Sequence, residues 1–283
     1  MRKSRILITG ARGMLGQRLV ELCPATHEPL GLGRDDLDVT SLPSFRDVAA
    51  RVKPAAIIHA AAMTNVDGCE TAFEDAMRIN GIGARNAAIA AEESGAVCLL
   101  LSTDYVFDGE SEDEYVETDP VGPRSVYGRS KHMGEVLASM VTNRLSIVRT
   151  QWLYGPGGKN FVDTIAEAAR TREELRIVDD QRGCPTFTRD LARGIYHLLA
   201  HDAGPGIYHC SGRGSCTWFE LGKKIVELTG RSTRVVPMPS TELDRPAPRP
   251  RNSVLRNLAL ELTVGDPMPE WEESLRDYLE GRG

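Results

Sequence analysis

The chain has few of the features that staple a small fold or anchor it in a membrane. Its six cysteines, Cys23, Cys69, Cys98, Cys184, Cys210 and Cys216, form no Cys-x-x-Cys pair. That spacing argues against a disulfide framework and a zinc site, and it suits a reducing compartment. The six histidines show no metal-ligand spacing either, so no metal site is expected. No run approaches the roughly 20 apolar residues of a membrane helix. The basic opening, residues 1–5, leads only into residues 6–9 before glycine intervenes, too short for a signal-peptide core. Basic residues are outnumbered, 34 to 40, giving a net charge of -6. That argues against nucleic-acid binding as the main task, although a pocket on an acidic protein can still be locally positive. The expectation is a soluble cytoplasmic protein with neither a membrane nor a nucleic-acid partner.

What is present is a regular alternation. Apolar runs at 5–9, 28–32, 55–59, 96–101 and 145–150 predict strands. Helical spacing at 13–22, 42–52, 72–93 and 125–140 separates them, the third stretch broken only by Gly81 and Gly83. This order predicts an α/β fold, a Rossmann-type doubly wound parallel sheet. The nearly continuous apolar strands agree, since such strands are buried on both faces. After residue 150 the pattern loosens into a smaller mixed α/β region. Helices are expected there at 161–170, 191–200, 218–228 and 270–279, a strand at 175–178, and an extended proline-rich segment at 245–250. The expected division is a dinucleotide-binding domain over 1–150 and a mainly substrate-binding region over 151–283. The helix near 190–200 is expected to pack back on the first domain.

The first strand–helix junction carries Gly10, Gly13 and Gly16. Glycines alone are weak evidence, because any βα loop can hold them. At this junction they serve a tight turn, close approach of a pyrophosphate to the backbone, and helix–strand packing. The helix N-terminus then offers free N–H groups to the anion. The Gly-x-x-Gly-x-x-Gly spacing resembles that of the short-chain dehydrogenases/reductases, the extended type especially. Met14 and Leu15 lie inside the turn. After the second strand comes Arg34, which suits the 2′-phosphate of NADP unless it is an ordinary solvated charge. Arg12 could add to it. Asp35 or Asp36 would instead serve the ribose of NAD. The small residues Ala60, Ala61 and Ala62, with Met63 and Thr64, end the third strand and leave room for a cofactor against the backbone.

Tyr127 and Lys131 stand four apart on a predicted helix and so share one face. An ammonium beside a phenol lowers the phenol from its ordinary pKa of about 10, so that it can exchange a proton near neutral pH. Tyr-x-x-x-Lys is common by chance, but here it follows a glycine-rich βαβ half at the expected distance. The strand at 96–101 runs on into two hydroxyls. Thr103 is the candidate for polarising a substrate carbonyl, with Ser102 as runner-up because strand alternation points it the other way.

Several longer segments resemble the dTDP-4-dehydrorhamnose reductase family from end to end. They are residues 60–70 (Ala-Ala-Ala-Met-Thr-Asn-Val-Asp-Gly-Cys-Glu), 102–109 (Ser-Thr-Asp-Tyr-Val-Phe-Asp-Gly), 149–155, Asn160 with Phe161, 180–186 and 249–253. The resemblance implies that NADPH, or NADH, reduces the C4 ketone of dTDP-4-dehydro-β-L-rhamnose. It implies Tyr127 as proton donor, Lys131 as its tuner and Thr103 as polariser. It places Asp104, Trp152 and Asn160 among substrate contacts. Gly13, Met14, Leu15, Ala62, Met63, Thr64, Asp38 and Val39 fall at cofactor contacts, the last two beside the adenine. Met63 departs from the histidine or glutamine frequent there, and Gln151 from a frequent serine. Some members are associated with Mg²⁺ at a dimer contact. No local metal motif stands in this chain, and both Mg²⁺ and a homodimer remain open.

Other readings differ at particular residues. A 4,6-dehydratase needs a further acid and base, but Thr103-Asp104 is followed by Tyr105 rather than glutamate. A 4-epimerase commonly carries an acidic residue where Arg34 stands. A non-catalytic NADP-binding regulatory subunit would be expected to lose Thr103, Tyr127 or Lys131. A reductase of another dTDP-4-keto-6-deoxysugar is not separated by motifs, because pocket shape sets the stereochemistry.

Overall fold

The apolar runs of the first half become strands because each has two faces to bury. A computed structural model describes residues 3–281. Its first half runs β1 (Ser4–Thr9), α1 (Met14–Glu21), β2 (His27–Leu32), α2 (Leu42–Val52), β3 (Ala56–His59), α3 (Val66–Thr71), α4 (Phe73–Ala76), a π-helical turn (Met77–Ile82), α5 (Gly83–Ser94), β4 (Val97–Thr103), α6 (Val126–Ser139) and β5 (Leu145–Thr150). The remainder runs β6 (Leu153–Tyr154), α7 (Phe161–Thr171), β7 (Glu174–Val178), β8 (Arg182–Gly183), β9 (Thr186–Phe187), α8 (Thr188–Ala200), β10 (Gly206–His209), β11 (Cys216–Thr217), α9 (Trp218–Leu228), β12 (Arg234–Met238), α10 (Leu258–Leu262) and α11 (Trp271–Glu280).

Six strands form one sheet in the order β10-β5-β4-β3-β1-β2, and every pair in it is parallel. The chain winds outward from β1 in both directions, as the βα alternation requires. Alternate residues of each strand feed opposite cores. Ile6, Ile8, Leu99, Leu101 and Val148 pack with Leu15, Leu19, Leu191 and Ile195 of α1 and α8. Leu7, Ile57, Cys98, Leu100 and Ile147 pack on the other face with Phe45 and Val48 of α2 and the alanines of α5. Burial pushes the Cys98 thiol up to about 12, so it behaves as a small inert hydrophobe.

Several boundaries have visible causes. The Ser41 side chain caps α2 by accepting from Ser44 N–H. The Thr217 hydroxyl and the Glu220 carboxylate close a capping box on α9. The stretch 72–93 is helical, but its backbone widens into the π-helical turn beside Gly81. There α6 packs close. A Cβ on Gly134 would stand 2.5 Å from Asn80 O, and one on Gly81 would meet Met133 Sδ at 2.8 Å.

Past residue 150 the chain does two things. β10, which no sequence pattern marks, adds to the sheet edge beside β5, and α8 packs in the core with α1. The rest builds a third core from α7, α9, α11 and the parallel β7–β12 pair, around Ile165, Ile177, Ile225 and Leu275. Among the described residues no helix is long and apolar enough to cross a membrane.

Candidate active site

One cleft of about 1670 Å³ opens where β1, β3, β4 and β5 end. That exceeds the roughly 300–1,000 Å³ of a single-ligand pocket, so two ligands fit end to end. The glycine turn, Arg34, Asp38, Val39, Ala62, Met63, Thr64, Ser102, Thr103, Tyr127 and Lys131 all line it, whereas Asp35 and Asp36 do not. Asp104 and Trp152 line it too, but Asn160 does not.

The floor is the glycine turn. Gly10 sits at φ +69, a left-handed conformation in which a Cβ would stand 2.7 Å from Ala61 N. A Cβ on Gly16 would stand 2.1 Å from Gly10 O, so only glycine lets the first turn of α1 close on the loop. Gly13 caps α1 with no side-chain bond, which leaves the helix N–H groups for an anion. These cradles fit a dinucleotide pyrophosphate. Beyond β2, Arg12 lies over Gly33 and ion-pairs with Asp35 and with Asp36, the latter at 3.4 Å. Asp36 also accepts from Gly33 N–H at 2.9 Å. Both acids that could have served a ribose are thus held by Arg12, while Arg34 is exposed at the cleft edge. Asp38 accepts from the Thr40 hydroxyl at 2.7 Å and from its N–H, which holds its carboxyl below the usual range.

Asn80 was missed by the sequence reading, and it ties this floor to the reacting groups. From the π-helical turn its Oδ1 accepts from Met63 N–H at 2.7 Å, and its Nδ2 donates to Met63 O and to Ser130 Oγ. A polar residue in an Ala-rich helix, next to a glycine, was the available signal.

Ser125 caps α6, so Tyr127 and Lys131 sit in its first turns and face the end of β4. The two hydroxyls there diverge. Ser102 donates to Glu135, while Thr103 donates to Asp104 Oδ1 at 2.8 Å and faces the Tyr127 phenol. Lys131 Nζ donates to Leu101 O at 2.6 Å. Burial lowers the Lys131 ammonium to about 8, against the raising pull of Glu135. The expected lowering of Tyr127 does not occur. Burial dominates and raises the phenol, Thr103 opposes it, and the charges of Asp104 and Cys69 raise it further. The desolvated phenol therefore keeps its proton. Burial also raises Asp104, to about 6, despite the Thr103 hydrogen bond.

Behind this group lies a second residue set absent from the sequence reading. Glu135, one turn past Lys131, accepts from Arg149 Nε at 3.0 Å and Nη2 at 2.8 Å, and both side chains are buried. An arginine inside an otherwise apolar strand was the signal, since it demands a partner.

Trp152 lines the cleft with a φ of +46, unusual for a bulky residue. Its ring stacks on Trp218 with centroids 3.5 Å apart. A Cβ on Gly183 would strike that ring at 2.5 Å. Lys159, Arg176, Arg245 and Arg249 also line the cleft, Arg176 paired with Glu242 and Arg249 with Asp67. Asn160 instead caps α7. Its Oδ1 accepts from Asp163 N–H at 2.9 Å and its Nδ2 donates to Gly155 O, so its side chain is occupied by the fold. Among the described residues no group of three or more His, Cys, Asp or Glu is placed to hold a metal ion, and Mg²⁺ has no support here.

A protein-family model described as the RmlD substrate binding domain matches residues 4–282. The spore coat polysaccharide biosynthesis protein SpsK of Bacillus subtilis is 40% identical, over 99% of this chain and 98% of that protein. A dTDP-4-dehydrorhamnose reductase of Streptomyces griseus is 40% identical, over 97% and 93%. The crystal structure of a dTDP-4-dehydrorhamnose reductase from Bacillus anthracis in complex with NADP superposes with a TM-score of 0.95 at 39% identity, covering 99% and 100%.

Proposed function

We propose, from the premise that this chain belongs to the RmlD substrate binding domain family, that it uses NADPH to reduce the C4 ketone of dTDP-4-dehydro-β-L-rhamnose to dTDP-L-rhamnose. The observation that carries the reading is convergence. Thr103, Tyr127 and Lys131, from a strand end and a helix, line the same cleft as the glycine turn.

Gly10, Gly13 and Gly16 hold the pyrophosphate, Asp38 and Val39 flank the adenine, and Ala62, Met63 and Thr64 back the middle of the dinucleotide. Arg34 meets the 2′-phosphate, which favours NADPH over NADH. Bound there, the reduced nicotinamide supplies the hydride that reaches C4. Tyr127 supplies the proton that reaches the C4 oxygen, and burial keeps that proton on the phenol until it is needed. Thr103 turns its hydroxyl from Asp104 Oδ1 to donate to the same oxygen and fixes it. Lys131 stabilises the phenolate left behind, and solvent reprotonates it. Trp152 and Trp218, with the basic side chains beyond them, receive the nucleoside diphosphate.

The test is NADPH oxidation on addition of dTDP-4-dehydro-β-L-rhamnose, with the product sugar identified. Absence of oxidation overturns the reductase reading and leaves a non-catalytic binding protein. Another product sugar keeps the reductase and replaces its substrate.

A further inference from the structure

β4, which ends in Thr103, and its neighbour β5 end abreast. In the β4–β5 ladder Thr103 pairs with Thr150. The next residues outward, Asp104 and Gln151, therefore stand side by side just past the carboxyl ends of the sheet. Both line the cleft, and each is only 2% exposed. Nε2 of Gln151 has no hydrogen-bond partner, and Oδ2 of Asp104 has none within bonding distance, although the Ser253 hydroxyl lies near enough to lower the Asp104 carboxyl. The amide cannot be turned to hide this. Cys184 N–H donates to Gln151 Oε1 at 3.0 Å, and the Ser253 hydroxyl lies 3.0 Å from the same oxygen. A backbone N–H can only donate, so it requires the amide oxygen there and leaves the NH₂ group facing away from it. Gly183 makes the placement possible, since a Cβ there would stand 2.6 Å from Oε1. Nothing within the fold uses the free donor, and buried polar groups are normally satisfied.

We propose that Gln151 is a specificity-determining residue, donating from Nε2 to the substrate hydroxyl on the carbon next to the ketone while Asp104 Oδ2 accepts a hydrogen bond from that hydroxyl. A hydroxyl is the group that satisfies a donor and an acceptor set side by side. The position follows from contact. The ketone oxygen lies at Thr103 and Tyr127, the Thr103 hydroxyl is 2.8 Å from Asp104 Oδ1, and Gln151 follows Thr150, the residue paired with Thr103. The site thus selects α-hydroxy ketones over their deoxy counterparts. This rests on the ketoreductase reading above.

The experiment uses the full-length enzyme, dTDP-4-dehydro-β-L-rhamnose and its 3-deoxy counterpart, with two variants. Gln151→Leu removes the donor. Gln151→Glu keeps the Oε1 acceptor for Cys184 and Ser253 but replaces the donor by an acceptor. The wild type is expected to prefer the hydroxylated substrate strongly. Both variants should lose about 10–100-fold in kcat/KM on it and little on the deoxy substrate, with NADPH affinity unchanged. Equal losses on both substrates, or none, overturn the proposal. Calorimetric affinity for dTDP-L-rhamnose and for dTDP alone separates the two readings. If the wild type turns over neither ketone, the reductase reading falls. In that case, weaker dTDP-L-rhamnose binding in both variants, with dTDP binding intact, would still assign the contact, and unchanged binding of both would overturn it.

Discussion

Replacing Glu135 by glutamine removes one charge from a pair that the fold has closed off from water. Glu135 and Arg149 are 3% and 2% exposed, and the carboxylate takes two guanidinium hydrogen bonds and the Ser102 hydroxyl. Burial alone would raise the carboxyl. The His132 imidazole 3.6 Å away, the hydrogen bonds from Arg149 and Ser102, and the charge of Arg149 overcome it and hold Glu135 at about 2 against an ordinary 4.5. That depression corresponds to about 3 kcal/mol. Because the folded value is lowered, the contribution is fully present above pH 4.5 and is lost as pH falls toward 2. Leaving Arg149 buried and unpaired costs about 3–5 kcal/mol by an independent route. Glu135→Gln should therefore lower the thermal midpoint at neutral pH by on the order of 10 °C. Pairing it with Arg149→Met should recover most of that loss, since no buried charge is then left alone. Thermal unfolding of wild type, both single variants and the double variant measures this. A Glu135→Gln midpoint within about 1 °C of wild type would refute the reasoning, and so would a double variant as unstable as the sum of the singles. The consequence for activity follows from position. The pair holds Ser102, the neighbour of Thr103, and Glu135 lies one helical turn from Lys131 on α6.

Tyr127→Phe should cut turnover by about 10²–10⁴-fold while NADPH binding, measured by fluorescence titration, is retained. Thr103→Ala should cost turnover and Ser102→Ala mainly stability, because Ser102 serves Glu135; equal turnover losses would show that the hydroxyls are assigned wrongly. Turnover of the wild type should fall above pH about 8 as the buried Lys131 ammonium loses its proton, being intact below that value. A kcat–pH profile flat to pH 10 would contradict this. Arg34→Ala should raise KM for NADPH about 10-fold or more and leave KM for NADH unchanged, since a charge-assisted hydrogen bond to the 2′-phosphate is lost. A parallel change with both cofactors would remove Arg34 from that role.

Much of the site was legible in the chain because it obeys local rules. The glycine turn needs glycine at 10 and 16 for steric reasons that no other residue meets, and a helix brings residues four apart to one face. What stayed hidden depends on contacts between distant segments. Asn80 acts through Met63 and Ser130, and Gln151 is oriented by Cys184 and Ser253. Asn160 shows the opposite failure. It belongs to a recognisable motif, yet the fold uses its side chain to cap α7. β10 was missed because the apolar part of Gly206–His209 is too short to stand out before its partner β5 is known.

Tyr127 and Lys131 show where the division falls. The sequence alone determined that they share a helical face beyond a dinucleotide turn, because helical periodicity and glycine sterics are local. It could not determine their proton affinities. Proximity of an ammonium predicts a lowered phenol, but packing buries both groups. Desolvation then raises Tyr127 and lowers Lys131, each disfavouring its charged form. That balance depends on everything folded over the site, and only the tertiary structure decides it.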